Sequence, residues 1–141
     1  MDLISDIAAV CFPLPAPGSV TPPDLYFEAY EQAEHRRAEE AANLEAASEG
    51  LDADPLLLAL QGARARKAAA DAEIRRLLAY GREFHGARPY RLESLAEASG
   101  MTPSGIRTAY GDNEITEVAR AIRRDPNRRT VKSPTEEAHD R

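Results

Sequence analysis

Tryptophan is absent from this sequence, and aromatic residues amount to only 6 %, with five tyrosines and three phenylalanines. Any core must therefore be filled by aliphatic side chains, chiefly alanine and leucine. Cysteine is nearly missing as well. With Cys11 alone, neither an intramolecular disulfide nor a cysteine-based zinc site can form. The three histidines, His35, His85 and His139, stand far apart without ligand-like spacing, so no metal and no cofactor are expected. No apolar run approaches the ~20 residues needed to cross a bilayer. The stretch from Met1 to Phe12 carries Asp2 and Asp6 where a secretory signal would carry lysine or arginine. The expectation is a cytoplasmic protein with no membrane partner.

What is present is 141 residues, 43 % of them hydrophobic, with alanine, glutamate, leucine and arginine dominating the middle of the chain. That composition favours long helices over strands, and an all-α fold is expected. The length suits one domain, or a small domain with a helical extension, and is too short for a two-domain enzyme. The formal net charge of −6 is unevenly spread. Ten acids face two bases between Asp24 and Asp54, whereas eight bases face three acids between Pro55 and Arg91. The acidic total does not exclude a polyanionic partner, because binding depends on local surface charge.

Turn signals divide the chain into four stretches. Residues 1–23 read as a short amphipathic helix, with Leu3, Ile4, Ile7, Ala8 and Cys11 near helical spacing, followed by a proline-rich connector. The helix is too short to persist alone and is expected to pack on the rest of the protein. Residues 24–86 read as a long helical hairpin, coiled-coil-like and suited to dimerisation. Its first helix carries Tyr26, Tyr30, Ala33, Arg37, Ala41 and Leu44 along one seam and is expected to end at Gly50. Asp54 and Pro55 begin the second helix, in which Leu56, Leu60, Ala63, Lys67, Ala70, Ile74 and Leu77 recur in alternating steps of four and three. Residues 87–130 hold shorter helices, the last with Ile115, Val118, Ala119 and Ile122 on one face and Pro126 as its stop. Residues 131–141 read as a flexible tail.

Within the third stretch, the run from Leu92 to Tyr110 has a steric pattern. Ala96 is small where two helices would cross, Gly100 suits a left-handed turn, and Leu95, Met101 and Ile106 fall on the inward face. Thr102 is placed to cap the second helix through its hydroxyl, and Pro103 fits its first turn. Gly105 costs that helix ~1 kcal/mol relative to alanine; it either admits close approach of the backbone to a ligand or leaves the helix marginal.

These residues resemble the helix-turn-helix unit of small bacterial DNA-binding proteins of the actinobacterial type, with a following helix like that of sigma-factor-like domains. The resemblance covers about twenty residues directly and does not extend to the long helices before them. It implies that the helix from Thr102 to Tyr110 lies in the major groove of double-stranded DNA. Its outward face then holds Thr102, Ser104, Arg107 and Thr108. Arg107 is the expected base reader, since a guanidinium can hold guanine O6 and N7 together. Ser104 and Thr108 are expected to hold phosphates or adapt to several bases. Arg88, Tyr90 and Arg91 are expected to grip the backbone on one side, and Arg123, Arg124, Arg128 and Arg129 on the other.

Catalysis finds no constellation here: no glycine-rich phosphate loop follows a strand, and no serine or cysteine has a nearby histidine. The leading expectation is a dimeric, sequence-specific DNA-binding protein, a transcriptional regulator or accessory factor of a mobile element. The competing expectation is an interaction adaptor whose long helices or N-terminal segment bind a protein partner, and whose helix-turn-helix-like part is structural.

Overall fold

The computed structural model describes residues 2–127, and every regular element among them is helical. In chain order these are α1 (Leu3–Cys11), a 3₁₀ turn (Pro23–Leu25), α2 (Tyr26–Leu51), α3 (Pro55–Glu83), α4 (Leu92–Ser99), α5 (Pro103–Ala109) and α6 (Asp112–Ile122). Among the described residues no helix is long and apolar enough to cross a membrane. Contacts divide the chain into two compact units, one up to Lys67 and one from Ala68 onward, so that the boundary falls inside α3. The 131–141 stretch expected to be a tail lies outside the described residues.

In the first unit, Asp2 begins α1: its carboxylate accepts the Ile4 N–H at 3.2 Å and the Ser5 hydroxyl at 2.8 Å. The Ser5 hydrogen bond holds the Asp2 carboxyl below its ordinary pKa. As expected from its length, α1 packs against α2, with Ile7, Ala8 and Leu44 buried. The seam foreseen on α2 meets the end of α1 at Arg37 and the connector at Tyr26. Tyr26, Tyr30, Ala33, Arg37 and Ala41 along it are half-buried. Arg37 also supplies a polar clasp, its Nε donating to the Phe12 carbonyl at 2.7 Å. The Tyr26 hydroxyl donates to the Pro15 carbonyl at 3.2 Å and ties the connector down.

Gly50 does not end α2. The helix runs through it, because one glycine costs only ~1 kcal/mol in a long helix, and stops at Asp52, whose φ of 49° is left-handed. Aspartate is among the few non-glycine residues that adopt this conformation readily. Asp54 then caps α3 as expected, its Oδ1 accepting from Leu56 N at 2.8 Å and Leu57 N at 3.1 Å. Pro55 occupies the first helical position. Over this first part of α3, Leu56, Leu57 and Leu60 are 48, 56 and 58 % exposed.

The second unit has two apolar clusters. Leu78, Ala96 and Ile106 form one, with Ile74, Leu92, Leu95 and Met101 packed around them. Ala79, Phe84 and Val118 form the other, bordered by Tyr80, Ile115 and Ala119. Tyr110 packs against both, and its hydroxyl donates to Glu83 Oε1 at 3.0 Å, which gives the buried Glu83 a polar partner. Ile122, expected on the core face of α6, is 39 % exposed. The helix ends there rather than at Pro126, because Arg123 turns left-handed at φ 55°.

Candidate nucleic-acid interface

The stretch from α3 to α5 is held by hydrogen bonds to the backbone at both ends of α4. Tyr90 N donates to the Gly81 carbonyl at 2.9 Å, and Arg82 returns a bond from its guanidinium to the Tyr90 carbonyl at 2.8 Å. The approach to α4 is thereby pinned to the end of α3. At the other end of α4, the Ser99 hydroxyl donates to the Leu95 carbonyl at 2.6 Å and accepts from Met101 N at 3.3 Å. Gly100 makes the turn at φ 72°, a conformation that L side chains adopt at a cost.

Thr102 begins α5 as foreseen, its Oγ1 accepting the Gly105 N–H at 3.0 Å, and Pro103 follows at the first position. The helix is shorter than expected: Tyr110 is extended and lies outside it. Ile106 is completely buried and Ala109 half-buried, so the helix has one inward face. Thr102, Ser104, Arg107 and Thr108 are all exposed. The Thr102 and Ser104 hydroxyls stand 3.3 Å apart, while the Thr108 hydroxyl donates back to the Gly105 carbonyl at 3.1 Å. The Thr108 oxygen is thus left as an acceptor, and the Arg107 guanidinium as the cationic donor of this face. Beside the helix runs a cleft of about 500 Å³ lined by Asp71, Ile74, Arg75, Ser99, Met101, Gly105, Thr108 and Ala109.

Arg88, Tyr90 and Arg91 are exposed too, but each is held differently. The Tyr90 ring packs on His85 with centroids 4.4 Å apart. Arg91 has Glu93 at 3.9 Å, an exposed pair of the weak, screened kind. Among the described residues no hydrogen bond or ion pair joins these three to the α5 group. Arg124 differs from expectation: its guanidinium donates to the Phe84 carbonyl at 2.6 Å and so supports the core. Arg123 is exposed at the end of α6, and Arg128 and Arg129 lie outside the described residues.

Two residues that the sequence reading passed over, Arg82 and His85, hold Tyr90 in place. Their signal in sequence is only proximity, eight and five positions before Tyr90. At the start of α6, Gly111 N donates to Glu114 Oε2 at 2.9 Å. That bond, aided by the charge of Arg75, holds the Glu114 carboxyl below its ordinary pKa. Among the described residues no group of three or more side chains is arranged to bind a metal ion. The chain matches no family model, no curated protein and no solved structure.

Proposed function

We propose that this chain is a sequence-specific, double-stranded-DNA-binding protein in which α4 and α5 act as a helix-turn-helix and α5 enters the major groove. The supporting observation is the two-sidedness of α5. Ile106 is fully buried while Ser104, Arg107 and Thr108 are exposed on a helix only seven residues long, and Thr102 is exposed as its cap. Such a helix offers a cation and several hydroxyls on a short surface that a groove about 12 Å wide can admit. Arg107 reads a base; Ser104, Thr108, Arg88, Tyr90 and Arg91 set register through phosphates. The protein fits a small bacterial regulator of the sigma-factor-like helix-turn-helix kind, or a mobile-element accessory factor, acting in the cytoplasm as a homodimer. Two such units on a two-fold axis meet half-sites about 34 Å apart or a multiple of it.

The test is selection of bound genomic fragments by the purified protein at fixed, near-physiological salt, with Arg107→Ala alongside. Salt is held constant because phosphate contacts make affinity steeply dependent on ionic strength. A recurrent motif that disappears in a folded Arg107→Ala variant supports the reading. No enrichment, or enrichment indifferent to the substitution, favours the second reading, an adaptor that binds a protein through its long helices. The exposure of Leu56, Leu57 and Leu60 is the observation on that side.

A further inference from the structure

The segment from Glu49 to Lys67 has an electrical polarity of its own. At its start stand Glu49, Asp52 and Asp54; at its end stand Arg64, Arg66 and Lys67, with no charge between Pro55 and Ala63. The uncharged middle carries the exposed leucines Leu56, Leu57 and Leu60, together with the small residues Ala59, Gly62 and Ala63. At 100° per residue, Leu56, Leu60, Ala63 and Lys67 fall within a stripe about 60° wide. Leu57 and Arg64 flank it on one side, Ala59 and Arg66 on the other.

We infer that a second copy of this chain occupies this stripe, and that the two helices run antiparallel. Three features of the segment choose that partner and direction. Antiparallel pairing puts the acidic start of each copy beside the basic end of the other; parallel pairing stacks Lys67 on the partner's Lys67 and acid on acid. Opposed helix dipoles add to the preference. The stripe is also self-complementary about a point between Gln61 and Gly62. There Leu60 meets the partner's Ala63, and Leu56 meets the methylene stem of the partner's Lys67, whose ammonium reaches towards Asp54. Large residues thus oppose small or stem-like ones, as close helix packing requires. This inference rests on the DNA-binding reading only in supplying the means by which two DNA-binding units are joined, and the two can fail separately.

Sedimentation equilibrium of the full chain across the micromolar range tests the association without DNA. A reversible dimer is expected, with Leu60→Glu raising its dissociation constant roughly 100-fold by placing two charges in an apolar contact. Since Leu60 is exposed in the single chain, helicity by circular dichroism is expected to be unchanged. Direction is read with nitroxide labels at Gln61→Cys or Ala69→Cys in a Cys11→Ser background. In an antiparallel pair, the labels at position 61 lie within about 2 Å of each other along the axis and those at 69 about 22 Å apart. A chain that stays monomeric, a dimer indifferent to Leu60→Glu, or equal label distances at both positions overturns the inference. Fragment selection that fails while the dimer forms as described overturns only the DNA-binding reading.

Discussion

Thr102 and Gly105 depend on each other: Thr102 Oγ1 accepts the Gly105 N–H at 3.0 Å, and a Cβ on residue 105 would stand 2.9 Å from the same oxygen. The glycine therefore has a reason within the protein, independent of any ligand. A double-mutant cycle measures the dependence. Thr102→Ala is expected to cost about 1 kcal/mol through loss of the cap. Gly105→Ala alone is expected to be near neutral, its ~1 kcal/mol gain in helix propensity offset by the displaced cap. In the Thr102→Ala background the same change gains its full ~1 kcal/mol. Additive denaturation energies would refute the account.

Ile106 and Ile122 both sit at positions that the apolar pattern assigns to a core, yet one is fully buried and the other 39 % exposed. Ile106→Ala is expected to destabilise the second unit by about 2–5 kcal/mol, through lost burial and the cavity left behind. Ile122→Ala should cost under about 1 kcal/mol. Urea denaturation of the two variants side by side distinguishes them, and equal losses would contradict the burial described.

Glu114 gives the protein a pH signature. Its carboxyl is depressed by the Gly111 N–H first and by the charge of Arg75 last. A group whose pKa is lower folded than unfolded contributes stability above the unfolded pKa and loses it as pH falls through the folded one. The stability gap between the parent chain and Glu114→Ala is therefore expected to be widest near neutrality. It should narrow as pH drops below the ordinary glutamate range and close under the lowered pKa. A gap that is flat with pH would rule out the charged cap.

Arg88 and Arg107 should differ in kind if the proposed function holds. Arg88→Ala is expected to weaken binding to all DNA sequences about equally and to reduce the slope of log affinity against log salt by about 1. Arg107→Ala should relax discrimination at one base pair by about 1–3 kcal/mol. Titrations on a selected site and a scrambled one, each at several salt concentrations, separate the two. Identical behaviour of the variants would remove the distinction between positioning and reading.

Much of the fold was legible because its signals are local. Asp54 and Thr102, each followed by a proline, cap α3 and α5, Gly100 turns left-handed, and α1 packs against α2. The misreadings fall where a distant partner or a competing conformation decides. Gly50 lost to Asp52 as the end of α2, since propensity alone does not terminate a helix of that length. Arg124 looked like a free surface cation, but its partner is the Phe84 carbonyl forty residues earlier, and no local pattern encodes that contact. On the candidate interface, period revealed Ser104, Arg107 and Thr108 as the outward side of α5, while Thr102 is exposed as the cap. The bracing of Tyr90 by Arg82 and His85 was not legible, because it arises only once α3 ends where it does.

The connector between α1 and α2 carries five prolines, Pro13, Pro15, Pro17, Pro22 and Pro23. A nine-residue helix such as α1 gains little from its own hydrogen bonds, so its docking is sensitive to the entropy lost when the intervening loop closes. Each proline already restricts the unfolded chain, and part of that loss is incurred before folding begins. The Tyr26–Pro15 and Arg37–Phe12 hydrogen bonds therefore act on a loop with few conformations to surrender. Loosening the connector with glycine would weaken the docking of α1 without touching a single contact between the two helices.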